Sequence, residues 1–365
     1  MGAVSPCGIY YIMVTDNSQS TTRNTALIAM SGGVDSAVAA LTSLREGLDC
    51  VGAIMILHSF IKSETEAARL AAEKLGIRFH VLDFSDQFTN LVISRFVSAY
   101  RCGRTPNPCI DCNRQIKFGL LLEKAQELFD ADLVTGHYAR IEKDVNGRYL
   151  LNKAADTLKD QSYVLYTLKQ EQLAHTRFPL GALTKQHVRD VARDAGLQNA
   201  TKRESQDICF VPDGDYADFI AEFTGTAPRA GRFVDVDGND LGPNKGIDRY
   251  TVGQRRGIGL SMPYPAYVLE VRPADSSVVV GKNEMLYSKT LYASDINFIP
   301  FDKLDSPIKA RVKVRYKAEE QPATVTQTDV DTIRVDFDKP QRAITKGQAA
   351  VIYDGDVCLG GGTII

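Results

Sequence analysis

Residues 25–47, TALIAMSGGVDSAVAALTSLREG, decide the fold. TALIAM is a short apolar run that reads as a buried strand, and AVAALTSLREG reads as a helix closed by Gly47. Between them lies SGGVDS. Gly32 and Gly33 let backbone N–H groups turn toward an anion, and the helix starting near Asp35 adds its positive dipole end. Ser31 and Ser36 supply hydroxyl donors, while Asp35 is placed to hold Mg²⁺ or to orient the loop. The pattern is neither G-x-x-x-x-G-K-[ST] nor G-x-G-x-x-G. An ordinary strand–helix turn would also use two glycines, but the full hexapeptide in this context favours a phosphate loop.

Outward from the loop, strands and helices alternate. VGAIMIL and FHVLDF read as further strands, and ETEAARLAAEKLG as a helix with Ala67, Leu70, Ala71 and Leu75 at helical spacing. A helical stretch from Ser85 to Tyr100, a Pro/Cys-rich loop, a helix from about Gln115 to Phe129 and the strand DLVTGHY follow. This alternation predicts an α/β fold, a Rossmann-like parallel sheet covered on both faces, over residues 25–210. Residues 1–24 read as a flexible extension. A small central domain is expected at 211–285. Residues 286–365 carry short alternating runs between turn residues, which predict an antiparallel β-barrel.

Composition bounds the function. The 365 residues are 44% hydrophobic and 24% charged, enough for real cores. The formal net charge of −2 means that any nucleic-acid surface must be local. No apolar run approaches the roughly 20 residues of a membrane span. Seven cysteines, an odd number, do not resemble a secreted disulfide framework, so a cytoplasmic location with reduced thiols is expected.

Three cysteines lie in suggestive places. Cys109 and Cys112 form a C-x-x-C in GRTPNPCIDCNRQIKF, where Asn113 or Asp111 is a candidate cap for the following helix. A cysteine just before a helix N-terminus is expected to have a lowered pKa. Cys209 sits in KRESQDICF. Half a structural zinc site and a buried apolar cysteine are the competing readings. Farther on, KARVKVRYK places Lys309, Arg311, Lys313, Arg315 and Lys317 at odd positions, one face of a strand with no intervening acid. That stripe suits a phosphate backbone or a solvated face equally.

AMSGGVDS resembles the pyrophosphate loop of the ATP pyrophosphatase superfamily (adenine nucleotide α-hydrolase-like), whose members cleave ATP to activate an oxygen for displacement. With GRTPNP, CNRQIKF, VTGHYARI, KDQSYVLYTL, KRESQDICF, YTVGQRRGIG, VRYK and GQAAVIYDGDVCLGGGTI, the chain resembles the tRNA-specific 2-thiouridylases across nearly its whole length.

That resemblance implies replacement of the carbon-2 oxygen of a tRNA wobble uridine by sulfur, with ATP and Mg²⁺. The substrates implied are tRNAs of the lysine, glutamate and glutamine type, and the sulfur donor a cysteine desulfurase or a sulfur relay protein. It implies ATP contacts at Ala29, Met30, Ser31, Gly32, Gly33, Val34, Asp35, Ser36, Met55 and Gly136. It implies a persulfide on Cys209 and a resolving or nucleophilic thiol at Cys112, with a Cys112–Cys209 disulfide as an intermediate. Asn107, Pro108 and Cys109 match the segment beside the target base. His137, Lys159, Asp160, Gln161, Arg315, Tyr316 and Gln348 match other tRNA-contacting positions. The chain departs from the family at Cys109, where many members carry an aspartate. Two readings follow: Cys109, Cys112 and Cys209 hold a 4Fe–4S cluster with one open iron, or Asp111 takes over the acid/base work.

Overall fold

The structure is a computed structural model that describes residues 24–58, 62–197, 208–211 and 215–365. The motif residues 202–207 and the extension 1–23 lie outside the described residues. A parallel sheet in the order β3-β2-β1-β4-β7 forms the first layer. Its strands are β1 (Thr25–Ala29), β2 (Asp49–Ile56), β3 (Arg78–Asp83), β4 (Asp132–Val134) and β7 (Thr176–Arg177). Alternate strand residues feed two different cores, which is why these strands read as continuous apolar runs. Ala26, Ile28, Ile54 and Val134 face α1 (Val34–Arg45), α2 (Lys62–Leu75) and, farther along the chain, α9 (Lys185–Asp194).

Leu27, Val51, Ala53 and Leu133 face the opposite core. There, α3 (Ser85–Phe88) runs through a π-helical turn, Thr89–Ile93, into α4 (Ser94–Arg101). The short α5 (Pro108–Asp111) likewise continues through a π-helical run, Cys112–Leu121, into α6 (Leu122–Phe129). Both expected helices therefore exist, each with widened turns. The chain order reverses between β1 and β4, and such a switch point opens a crevice at the strands' carboxyl ends.

After β4 the chain leaves the parallel sheet. The hairpin of β5 (Arg140–Lys143) and β6 (Tyr149–Asn152) pairs through β6 with the C-terminal sheet, and α7 (Ser162–Leu165) and α8 (Gln170–Ala174) lead back to β7. Beyond α10 (Tyr216–Thr224), a four-stranded sheet assembles in the order β10-β11-β8-β9. It comprises β8 (Gly231–Val234), β9 (Asp240–Asn244), β10 (Tyr267–Arg272) and β11 (Ser277–Gly281), around Phe233, Tyr250, Val268 and Val278.

The last module is the antiparallel barrel expected from the alternating runs. Its strands are β12 (Tyr287–Phe298), β13 (Ile308–Lys313), β14 (Gln321–Asp329), β15 (Thr332–Arg342), β16 (Ala349–Asp354) and β17 (Val357–Ile364). Pairing of β12 with both β15 and β17 closes the ring, which removes the exposed edges. The expected cationic stripe is cut short. β13 ends at Lys313, because the chain must turn through residues 314–320 to reach β14. Only Lys309, Arg311 and Lys313 share a strand face, and acids on neighbouring segments meet it: Asp338 lies 3.9 Å from Lys309, and Glu320 3.6 Å from Arg311.

Candidate active site

The SGGVDS loop caps the carboxyl end of β1, at the switch point. Gly33 is the N-cap of α1 and has no side chain to accept from the first helical amides, so the loop's hydroxyls close the turn. The Ser31 amide donates to Ser36 Oγ at 3.1 Å, and Ser36 Oγ donates to the Gly33 carbonyl at 3.0 Å. Gly32 has φ +71°, and a Cβ there would lie 2.5 Å from the Glu64 carbonyl of α2. Both conformation and space demand glycine. Met30 is buried beneath the loop and Met55 packs against the neighbouring core.

Asp35 is held by residues the motif did not reveal. Lys185 Nζ, at the start of α9, lies 2.7 Å from both Asp35 carboxylate oxygens, and Tyr138 Oη donates to Oδ1 at 2.8 Å. The segment after β4 presses on the same loop. A Cβ on Gly136 would sit 2.8 Å from the Asp35 carbonyl carbon and 2.9 Å from the Ser36 nitrogen. Gly136 thus lets the segment after β4 pack directly against the phosphate loop.

His137 follows and is buried. Its Nδ1 lies 2.7 Å from Thr135 Oγ1 and its Nε2 3.5 Å from Lys117 Nζ. An ammonium only donates, so Nε2 accepts and Nδ1 carries the proton. Burial, helped by Lys117, holds the imidazole pKa well below its ordinary value, so it is neutral.

Lys117 in turn faces the thiols. It acts electrostatically on Cys109, Cys112 and Cys209 together, Cys112 also feels Cys209 and Cys109, and Cys209 feels Cys109. The fold therefore brings the three cysteines into one neighbourhood. Their ionisation runs opposite to the expectation for a helix N-terminus. Burial pushes half-buried Cys112 up to about 12, and crowding by protein around the sulfurs raises Cys109 and Cys209 although both residues are exposed, while Lys117 pulls all three the other way. Desolvation of a thiolate outweighs the short α5 and one cation. The amides of Cys209 and Phe210 also favour the Cys209 thiolate.

The cap of α5 is Asn107 rather than Asn113 or Asp111. Its side chain accepts from the Cys109 amide at 3.2 Å, with Pro108 inside the first turn. Asn113 is buried and donates to the Val164 carbonyl at 3.0 Å. Asp111 pairs with Arg95 at 3.2 Å, and burial raises its pKa against the pull of Arg95 and Arg114.

Cys109, Cys112 and Cys209 are all free thiols, with no disulfide among the described cysteines. No three His, Cys, Asp or Glu side chains among the described residues are grouped to hold a metal. The three cysteines share a neighbourhood without being grouped around a single ion, so the described residues present no preformed mononuclear zinc site.

The remaining sequence-derived positions fall into two groups. Asp160 accepts from the Ala154 and Ser162 amides, Gln161 Oε1 accepts from the Tyr138 amide, and Gln348 donates to the Thr105 carbonyl at 2.7 Å. These side chains hold the framework around the crevice. Arg315 and Tyr316 instead lie exposed in the turn after β13, with Tyr316 Oη donating to the Asp160 carbonyl at 3.3 Å. Lys159 occupies the neighbouring turn, and Lys313 lies 5.7 Å from the Tyr316 ring.

A parallel sheet with a phosphate loop at its switch point, followed by two β modules, defines a multidomain nucleotide-using enzyme of the HUP class. Family profiles match in that order: a tRNA methyl transferase HUP domain over 24–213, a tRNA methyl transferase PRC-barrel domain over 217–282 and an aminomethyltransferase β-barrel domain over 288–364. The chain is 45% identical over 350 residues to tRNA-specific 2-thiouridylase MnmA of Clostridioides difficile (strain 630), covering 93% of this chain and 97% of that one. It is 45% identical to the MnmA of Halothermothrix orenii, covering 93% and 98%. It is 46% identical to that of Carboxydothermus hydrogenoformans, covering 94% and 98%. The chain belongs to the MnmA family of tRNA-specific 2-thiouridylases.

Proposed function

We propose that this enzyme converts the wobble uridine of tRNA to 2-thiouridine, with ATP activating the carbon-2 oxygen and Cys209 carrying the incoming sulfur. One observation supports this reading above the others: a chain of neighbours runs from the phosphate loop toward the thiols. Gly136 and Tyr138 meet the Asp35–Ser36 loop, His137 between them lies 3.5 Å from Lys117, and the charge of Lys117 acts on all three cysteines. An ATP-activating loop and a sulfur-transferring thiol set need to act on one atom, and this segment joins them.

The carbon-2 oxygen attacks the α-phosphorus of ATP and pyrophosphate leaves. Backbone amides of Gly32 and Gly33 and the α1 N-terminus favour the negative charge on the departing phosphates. ATP brings Mg²⁺ as its counter-ion, which would neutralise the leaving pyrophosphate; Asp35, with both oxygens engaged by Lys185 and one by Tyr138, would hold that ion only by exchanging the lysine. A sulfane sulfur on Cys209, supplied by a cysteine desulfurase or a sulfur relay protein, attacks carbon 2, and AMP leaves with the former uridine oxygen. The Cys112 thiolate then attacks Cys209 Sγ. The bond between Sγ and the transferred sulfur breaks, the sulfur stays on carbon 2, and a Cys112–Cys209 disulfide forms. A two-electron thiol reductant restores both thiols. Asp111, with its raised pKa, is the acid/base candidate beside Cys109.

The direct test incubates the enzyme with ATP, unmodified tRNA and a persulfide donor, then digests the tRNA and measures 2-thiouridine by mass spectrometry. Thiouridine formation that needs ATP and disappears in Cys209→Ser is expected. Undiminished thiolation by Cys209→Ser would remove Cys209 from the reaction.

The cytoplasm is the location this chemistry suits, and no helix among the described residues is long and apolar enough to cross a membrane.

A further inference from the structure

A cleft of about 170 Å³ lies beside the thiol loop, where the catalytic domain meets the barrel. Its lining includes Arg95 from α4, Arg104 from the loop before α5, Asp111 and Arg114 from the thiol segment, Thr167, and Asp295 from β12. Small-molecule sites run to roughly 300–1,000 Å³, so this space suits a group on a larger molecule rather than a whole ligand.

Its charge selects an anion. The three guanidiniums face two carboxylates. Arg95 spends one nitrogen on Asp111, and Arg114 spends two on Asp295. A guanidinium has five N–H donors, so most of this capacity is uncommitted. Arg104 is exposed and makes no ion pair or side-chain hydrogen bond among the described residues. At the cleft wall, Thr167 is 4% exposed, and its Oγ1 has no hydrogen-bond partner among the described residues. An unpaired buried hydroxyl costs the fold stability, which an incoming oxygen acceptor would recover.

We propose that Arg95, Arg104 and Arg114, with Thr167, form a phosphate subsite that holds the tRNA backbone next to the target uridine. The cleft also includes Asn107, which caps the helix carrying Cys109, so a phosphate gripped here positions its nucleotide against the thiol segment. Planar guanidiniums match phosphate oxygens in pairs, which fixes orientation as well as affinity. Gly347 and Ala349 of the barrel complete the wall, so closing the cleft needs both domains. This inference rests on the proposed function and names where its substrate is anchored.

The experiment measures tRNA affinity of the full chain against salt concentration, for wild type, Arg104→Ala and Thr167→Val. Arg104→Ala is expected to lower the slope of log K against log salt by about one, as loss of one phosphate contact should. Its affinity is expected to fall on the order of 10-fold, the lower end of what charge-assisted hydrogen bonds contribute. Thr167→Val is expected to weaken binding several-fold with the slope unchanged. Thiouridine formation in the same samples reads the function separately. A wild type that thiolates tRNA, alongside Arg104→Ala with unaltered affinity and slope, overturns the subsite alone. Arg104→Ala that leaves tRNA affinity intact but relieves inhibition by added inorganic pyrophosphate would place a product anion in the cleft and overturn the tRNA assignment.

Discussion

Lys185 reaches across 150 residues of sequence to place its ammonium 2.7 Å from both carboxylate oxygens of Asp35. The lysine side chain is 8% exposed, so this is a largely desolvated contact that fixes the carboxylate inside the phosphate loop. A cation held here also lies where the negative charge of ATP phosphates would arrive. Replacing Lys185 with Met therefore removes both loop positioning and charge. We expect ATP-dependent release of pyrophosphate in the presence of tRNA to fall by roughly 100-fold, the scale seen when one electrostatic stabiliser is removed. Affinity for tRNA should fall far less than turnover, since the Lys185 ammonium is committed to Asp35 rather than to an exposed surface. Normal turnover by a folded Lys185→Met protein would refute the role.

Gly136 makes a separate steric prediction about the same loop. Its added Cβ would meet the Asp35 carbonyl carbon at 2.8 Å, and backbone is the hardest neighbour to displace. Gly136→Ala should cost roughly 1–3 kcal/mol of stability, as overpacking does, and raise the KM for ATP more than it lowers kcat. Thermal melts and initial rates at varied ATP would show this. An unchanged KM would mean that the loop tolerates the methyl group and that its spacing is not set here.

The protonation of the thiols yields a pH prediction. Burial raises Cys112 to about 12, and Lys117 opposes that rise. A thiolate is the reactive form, so alkylation of Cys112 by iodoacetamide should increase about tenfold per pH unit across the neutral range. Lys117→Met removes a cation that stabilises the thiolate. The thiol pKa must then rise further, and the labelling profile must move to higher pH. Mass-spectrometric labelling of Cys109, Cys112 and Cys209 between pH 7 and 10 would measure it. A shift to lower pH would contradict the placement of Lys117.

What the sequence disclosed, and what it concealed, follows from how local each signal is. The phosphate loop was legible because Gly32, Ser31 and Ser36 act within six residues, where glycine geometry and helix dipole leave little choice. The parallel sheet and the barrel were legible from apolar runs with the right periods. Lys185 and Tyr138 were not, because their partner Asp35 is distant in sequence and nothing local to them signals a carboxylate. The hairpin at 140–152 pairs with the barrel for the same reason out of sight of any window. The cationic stripe was overread: alternation is visible in one strand, but its end at Lys313 and the acids Asp338 and Glu320 belong to neighbouring segments. The thiols were misjudged in direction because a helix N-terminus is visible in sequence and burial is not.

Cys109 separates the two sulfur chemistries most sharply. The family resemblance puts an aspartate at this position, and among the described residues no group of three His, Cys, Asp or Glu is arranged to hold a metal ion. If Cys109 is a bystander beside the target base, Cys109→Asp should preserve thiolation within several-fold, and protein purified without oxygen should carry substoichiometric iron. If Cys209 carries the sulfur and Cys112 releases it, as proposed, Cys209→Ser should abolish product, and Cys112→Ser should form none until a thiol reductant is added. Trapping should differ between them. Cys112→Ser, once loaded with persulfide, should accumulate an enzyme–tRNA adduct through Cys209 that a thiol reductant releases, since the resolving thiol is missing. Cys209→Ser should form none. A cluster-dependent enzyme would behave otherwise: Cys109→Asp would lose iron, acid-labile sulfide and activity together, and no reducible adduct would form on Cys209. Anaerobic metal analysis beside denaturing gels of the loaded variants decides between them.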